Sequence, residues 1–226
     1  MILNLIWDFD GTLFDTYPAI VRSLRAAVGD LAVPPSYEEV RDMALVSIDG
    51  CLKTMSTTYD LPLEELEAGF ERHYRDVTAD DQPPFDGVRE VCELICTSGG
   101  LNLIVTHRRR SGMDRLLAAH GLADLMADTV SCYDDGYPRK PDPAAFLMLI
   151  ERHHLRLDQT LAIGDRNLDV RAAHAAGLPA ALFAPTPTNV RADFVLADFG
   201  VLRRMIAFQR TPHAGPSTAL AENREV

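Results

Sequence analysis

The sequence predicts an α/β fold in which a parallel-sheet core carries an inserted all-helical domain, and three observations predict it. A short apolar run over residues 2–7 ends abruptly in Asp8-Phe9-Asp10-Gly11-Thr12-Leu13. Residues 14 to about 80 show only helical periodicity. From there to residue 183, strand and helix patterns take turns, the arrangement that places helices on both faces of a parallel sheet.

The first element is the strand over residues 2–7. Two carboxylates follow it, and an ionised carboxylate is costly to bury unless a metal, a cation or water meets it. Alternate residues of a strand share a face, so Asp8 and Asp10 are expected to point one way and Phe9 the other. Gly11 permits a sharp bend and a close approach to a ligand. Taken alone, the motif also fits a strand that ends in a solvated acidic turn.

Within the insertion, Tyr17, Ile20, Val21, Leu24 and Val28 repeat at helical spacing, with Asp15 or Thr16 placed to cap the helix and Pro18 in its first turn. Leu63, Leu66, Phe70, Tyr74 and Val77 form a second stripe. Residues 37–55 hold one or two shorter helices with a break near Asp49-Gly50. Residues 80–84, Asp-Asp-Gln-Pro-Pro, cannot continue a helix and read as a return linker. The alternation that follows runs through a helix over 87–98, a strand over 101–106, a helix over 111–120 and a strand near 129–132. It continues with a helix from Asp142, a strand over 160–163, a helix over 167–176 and a strand over 180–183. From about Gln209 the chain has no apolar period and is expected to be a disordered tail. The expected division is a core of residues 1–13 and 84–208, an insertion of residues 14–83 and a tail of residues 209–226.

Composition narrows the function classes. A hydrophobic content of 47% in 226 residues supplies a core that needs no staples. A formal net charge of -11 repels nucleic acid and anionic membrane alike, so neither is an expected partner. No apolar stretch reaches the length of a bilayer span and no secretory signal opens the chain, which makes a cytoplasmic location the expectation. Cys51, Cys92, Cys96 and Cys132 lack zinc spacing and read as buried, reduced thiols.

Three further segments gather chemistry where strands are expected to end. The strand over 101–105 runs into Thr106-His107. The loop before Asp142 holds Arg139-Lys140-Pro141-Asp142-Pro143. The strand over 161–163 runs into Gly164-Asp165-Arg166-Asn167-Leu168-Asp169. Open parallel sheets bind ligands outside the carboxyl ends of their strands, and here those ends offer carboxylates, a hydroxyl and a lysine. Asp165 and Asp169 also fit a bland role as acidic residues at a helix N-terminus, Thr106 as a β-branched strand residue and Lys140 as a surface lysine in a turn.

The ordered set DFDGTL, Thr106, Lys140 in KPDP, and GDRNLD resembles the four motifs of the haloacid dehalogenase superfamily in its phosphatase form. The helical insertion resembles the cap that such proteins place after the first motif. The resemblance covers nearly all of the chain except the tail. It implies a Rossmann-like core and Mg2+-dependent hydrolysis of a small phosphate monoester through an aspartyl-phosphate. Asp8 is then the nucleophile and Asp10 the general acid and base. The implied metal contacts are the Asp8 carboxylate, the Asp10 main-chain carbonyl and Asp165, with Asp169 either a ligand through water or the partner that orients Lys140. Thr106 would bond a phosphate oxygen, and Lys140 would neutralise phosphate and nucleophile together, which is how phosphoryl transfer is helped. His107 is expected to face the site and join Thr106 and Lys140 in binding substrate.

Arg108, Arg109 and Arg110 fit either an anion-binding role or a solvated basic loop, before a helix that Ser111 and Asp114 would cap. Arg166 stands where a small residue is common and is expected to pair with an acidic residue of the cap when the cap closes. A phosphomutase uses the same intermediate and remains open, as does a non-catalytic phospho-acceptor, against which Asp10 argues because a base beside the phosphoryl group hastens its loss. The expected partner is a small phosphorylated metabolite: phosphoglycolate, a sugar phosphate or a nucleotide. Ser47, Asp49 and Lys53 are candidates for selecting it, and oligomeric state is not legible.

Overall fold

The fold is described from a computed structural model for residues 1–184 and 189–209. Among these residues six parallel strands form one sheet: β1 (Asn4–Trp7), β2 (Asn102–Thr106), β3 (Asp128–Ser131), β4 (Thr160–Gly164), β5 (Ala180–Phe183) and β6 (Phe194–Leu196). Their order is β3-β2-β1-β4-β5-β6, so β1 lies in the middle with β2 and β4 as neighbours. The three strands whose ends carry the motifs are therefore adjacent. Strand alternation sorts the core onto two faces. Leu5 and Trp7 pack with helices α5 (Val88–Thr97), α6 (Arg110–Ala119) and α9 (Phe199–Phe208), while Ile6 packs with α7 (Ala144–Arg152) and α8 (Asn167–Ala175).

The insertion folds as four helices, α1 (Tyr17–Gly29), α2 (Tyr37–Val46), α3 (Ile48–Tyr59) and α4 (Leu63–Arg75). They bury an apolar cluster of their own, from Tyr17, Ile20 and Leu24 through Val40 and Met55 to Leu66. Its two connectors run side by side: Asp15 N–H donates to Pro83 O at 2.8 Å and Phe85 N–H to Leu13 O at 3.0 Å. The cap therefore enters and leaves the core at one place, next to the first motif.

Several local expectations need correction. The break between α2 and α3 falls at Ser47, whose hydroxyl accepts from the Gly50 amide at 3.1 Å, and Asp49-Gly50 lies in the first turn of α3. Helix α6 starts at Arg110 with Arg109 as its cap residue and no side-chain cap bond, because the Asp134 carboxylate takes the Arg110 amide instead; Ser111 and Asp114 form no capping box. Strand β6 and helix α9 extend the core beyond residue 183, where the sequence pattern marks no element. Cys51, Cys92 and Cys132 are buried free thiols, but Cys96 is exposed. The expected disordered tail lies outside the described residues from residue 210 onward. Among the described residues no helix is long and apolar enough to cross a membrane.

Candidate active site

The site is built on the carboxyl ends of β1, β2 and β4. The β1 ladder continues one residue past the strand, with Asp8 N–H donating to Ile163 O at 2.8 Å, and this fixes the Asp8 backbone beside β4. The chain then closes a tight loop in which the amides of Leu13 and Phe14 both donate to Phe9 O at 3.0 Å, and the Phe9 and Phe14 rings stack at 4.7 Å. Gly11 has φ +80° in this loop, and a Cβ there would stand 2.5 Å from Asp165 Oδ2 and 2.5 Å from the Tyr17 ring. Only glycine lets the loop pass that close to Asp165. Gly164 serves the same purpose below Asp169, whose Cβ a side chain at 164 would strike.

Lys140 is the centre of charge. Its Nζ lies 2.6 Å from Asp8 Oδ1 and 2.6 Å from Asp169 Oδ1, and it donates to Val105 O at 3.0 Å. The Lys140 and Asp8 side chains are 1% and 2% exposed, so this is a fully desolvated ion pair. Burial favours a neutral lysine, but the Asp169 and Asp8 carboxylates outweigh it and hold the ammonium above its ordinary value. Asp169 also accepts the Arg166 amide at 3.0 Å, which ties it to the start of α8. Among the roles open for Asp169, contact with Lys140 is therefore observed.

Asp8, Asp165 and Asp169 bring one carboxylate oxygen each to within 4.8 Å of one another. Burial pushes Asp8 and Asp165 above the usual carboxylate range, and the neighbouring carboxylates add to it. Asp8 Oδ2 is buried with no hydrogen-bond partner, an unmet acceptor in a cluster of hard oxygen donors. Both observations fit a divalent cation that prefers oxygen: it would satisfy the orphaned atom and relieve the repulsion between carboxylates.

Asp10 does not share the partners of Asp8. The regular strand ends at Trp7, so alternation does not carry through to position 10. Its carboxylate is gripped by Arg108, with Nε 3.0 and 3.2 Å from the two oxygens and a terminal nitrogen at 2.8 Å, and it accepts the Thr16 hydroxyl at 2.7 Å. Burial raises the Asp10 carboxyl, but Arg108 and Thr16 overcome that and hold it below the ordinary value. Arg108 also donates to the Tyr74 hydroxyl of α4 at 2.5 Å and to Gln82 Oε1 of the return linker at 3.2 Å. One partly buried network thus joins Asp10 to both connectors and to the cap. Neither sequence reading of Arg108 described this, since its partner lies 98 positions away.

Thr106 lies at the end of β2, and its hydroxyl oxygen accepts the Arg108 amide at 3.0 Å. His107 is turned to the Lys140 loop. Its Nε2 accepts the Lys140 amide at 2.8 Å, and burial together with the Lys140 charge pushes the ring down to about 3, so it is a neutral acceptor there. Arg109 stacks on the Tyr133 ring at 3.8 Å, and Arg110 pairs with Asp135 at 2.6 Å, so both are held by neighbours. Among the described residues Arg166 makes no ion pair with an acidic residue of the cap. Its Nε is 3.9 Å from both Asp165 Oδ1 and Asp169 Oδ2 within its own motif. Among the candidates for selectivity, Ser47 caps α3, the Lys53 carbonyl accepts the Thr57 hydroxyl at 3.0 Å, and Asp49 pairs with Arg139 of the core at 2.7 Å.

Comparison with known proteins agrees with this geometry. The family model described as haloacid dehalogenase-like hydrolase matches residues 5–183. A phosphoglycolate phosphatase of Vibrio parahaemolyticus is 30% identical over 184 residues, spanning 76% of this chain and 79% of that one. A phosphoglycolate phosphatase of Agrobacterium fabrum is 26% identical over 227 residues, spanning 95% of this chain and 96% of that one. A predicted phosphoglycolate phosphatase from Haemophilus somnus shares the fold with a TM-score of 0.80 at 20% identity, covering 90% of this chain and 97% of its own. A haloacid dehalogenase-like protein of unknown function from Agrobacterium tumefaciens superposes with a TM-score of 0.79 at 22% identity, covering 92% and 99%.

Proposed function

Because the chain belongs to the haloacid dehalogenase-like hydrolases and is a phosphatase of that family, we propose that it hydrolyses a small phosphate monoester with Mg2+ bound, through a phosphate carried on Asp8. The observation that supports this best is the pairing of Asp8 with Lys140 at 2.6 Å inside a cluster of three carboxylates, beside a separately held Asp10. An attacking carboxylate and a phosphate dianion repel each other, so the site must bring positive charge to both.

Asp8 is the nucleophile: its oxygen forms a bond to phosphorus as the ester oxygen leaves. Lys140 orients Asp8 and lowers the negative charge that the incoming phosphate meets at the nucleophile. The Thr106 oxygen accepts the Arg108 amide, which leaves the hydroxyl proton free for a phosphate oxygen. Asp10 carries the proton. It protonates the leaving alkoxide and then takes a proton from the water that attacks the phospho-enzyme. As held by Arg108 and Thr16 it is in the base form of the second displacement, and the acid form of the first requires those contacts to loosen. Mg2+ would be held by Asp8, Asp165 and the Asp10 carbonyl, with Asp169 behind them, and supplies charge neutralisation of the phosphate. The cap, hinged at paired connectors beside the nucleophile, excludes water and selects the ester. His107 fixes the Lys140 loop. The substrate is a small phosphorylated metabolite met in the cytoplasm, and phosphoglycolate heads the substrates to try because curated relatives bear its name.

The experiment is a panel of phosphate esters with Mg2+, read as free phosphate. Asp8→Asn abolishes turnover and leaves the thermal melt in place; retained turnover in the purified variant sinks the assignment. With p-nitrophenyl phosphate, whose leaving group needs no proton, Asp10→Asn gives a stoichiometric burst of nitrophenolate and then stalls. Steady turnover at the native rate would remove Asp10 from proton transfer. Phosphate release without a bisphosphate activator separates a phosphatase from a mutase.

A further inference from the structure

Arg166 is a cation within the carboxylate cluster that the reaction described above does not use. It is the cap residue of α8, directly after Asp165, and its side chain is 18% exposed. Four other arginines around the site each have a close partner: Arg108 has Asp10 at 2.8 Å, Arg109 has the Tyr133 hydroxyl at 2.5 Å, Arg110 has Asp135 at 2.6 Å and Arg139 has Asp49 at 2.7 Å. Arg166 is held differently. Its Nε is buried without a hydrogen-bond partner and stands 3.9 Å from Asp165 and 3.9 Å from Asp169. A buried guanidinium nitrogen that makes no bond is costly, and here the cost is offset only by the field of the carboxylates around it.

We infer that Arg166 is a resident counter-cation of the metal-binding cluster: it weakens the binding of a divalent ion and leaves the loaded site positively charged toward phosphate. This rests on the metal reading proposed above. The charges decide it. Asp8, Asp165 and Asp169 face Lys140 and Arg166, so three carboxylates against two cations leave one negative charge. A divalent ion turns that into one positive charge. Without Arg166 the cluster holds two negative charges, attracts the ion more strongly, and is merely neutral once loaded. Arg166 thereby moves affinity from the metal to the anion that follows it, and makes the two bind in concert.

The sign of the effect separates this role from a structural one. Mn2+ serves as the probe, its free ion followed by electron paramagnetic resonance, with thermal melts to verify folding. Arg166→Gln is expected to bind Mn2+ roughly tenfold tighter than the native chain, and Arg166→Lys to retain the native affinity within about twofold, because a charge near 4 Å is what acts. With Mn2+ saturating, inorganic phosphate binds Arg166→Gln more weakly by a similar factor. Local unfolding or a packing defect would weaken Mn2+ binding, not tighten it. Arg166→Met provides a second neutral variant should glutamine disturb α8. Mn2+ affinity that is unchanged or reduced in folded neutral variants overturns the inference and leaves the metal reading standing. Native Mn2+ affinity in Asp165→Asn would show that the ion does not sit at this cluster, and both would fall.

Discussion

The core site and the boundary between cap and core hold their charges in opposite ways. Lys140 and Asp8 form an ion pair with side chains 1% and 2% exposed, anchored on strand ends in the middle of the sheet. Arg139 and Asp49 form an ion pair of nearly the same length, 2.7 Å, across the boundary, with side chains 59% and 61% exposed. The distances are alike and the energetics are not. Removing one partner of a buried pair strands a desolvated charge, whereas an exposed pair is screened and contributes little. The proposed chemistry thus sits where charges are dry, while the Arg139–Asp49 pair across the boundary is weak enough to break and remake.

The largest effect tests the dry side. Lys140→Met leaves Asp8 and Asp169 facing each other with no direct cation partner, Arg166 standing off at 3.9 Å, and is expected to lower stability by about 3–5 kcal/mol and turnover by roughly a hundredfold or more. Urea denaturation without metal and kcat with Mg2+ measure the two separately. Divalent ion should restore part of the stability, since it neutralises the same carboxylates, but not the rate. A variant as stable and active as the native chain would erase the distinction between the two regions.

The dry side was also the part most legible in the sequence. Asp8, Asp165 and Lys140 follow apolar runs or turn signals at the strand ends, and local patterning is enough to place them at one sheet edge. The residues that patterning missed act at long range. Arg108 reads as one of three basic residues in a row, and nothing local says that it reaches Asp10. Tyr74 fits an apolar helical stripe, yet its hydroxyl donates to Gln82 Oε1 at 2.5 Å. Gln82 reads as part of a polar linker but is fully buried. Strand β6 escapes for another reason: it has three residues, two of them exposed, so it shows neither length nor alternation. Arg166 is legible as a departure from the motif, but its nearness to Asp165 and Asp169 is not, because only the turn into α8 brings the guanidinium back over them.

A smaller effect sharpens the same contrast through pH. His107 is held neutral at about 3 in the folded chain, far below its ordinary value, by burial and then by Lys140. Above about pH 6.5 both folded and unfolded states carry the neutral ring, and stability is complete. As the pH falls toward 3 the unfolded chain takes up a proton that the folded chain refuses, so stability declines. His107→Gln keeps an acceptor for the Lys140 amide and removes the titration. It should flatten the decline by on the order of 1–2 kcal/mol near pH 5, read as the difference in urea midpoints between variant and native chain. An identical pH dependence in both would mean that the ring is not shielded in the folded state.

The smallest effect belongs to the boundary. Asp49→Asn removes an exposed partner of Arg139, so the expected change in stability is below about 0.5 kcal/mol. Both residues stand on segments that border the site, Asp49 on α3 and Arg139 beside Lys140, so their attraction acts on how often the cap is closed rather than on the reacting groups. KM should rise by roughly two- to threefold at low ionic strength with kcat nearly unchanged, and the difference should vanish near 1 M salt, where screening reaches about 3 Å. A kcat loss approaching that of Lys140→Met, persisting in high salt, would make this exposed pair part of the chemistry. The two regions would then differ in exposure alone, and the cap would have to be counted among the groups that fix the transition state.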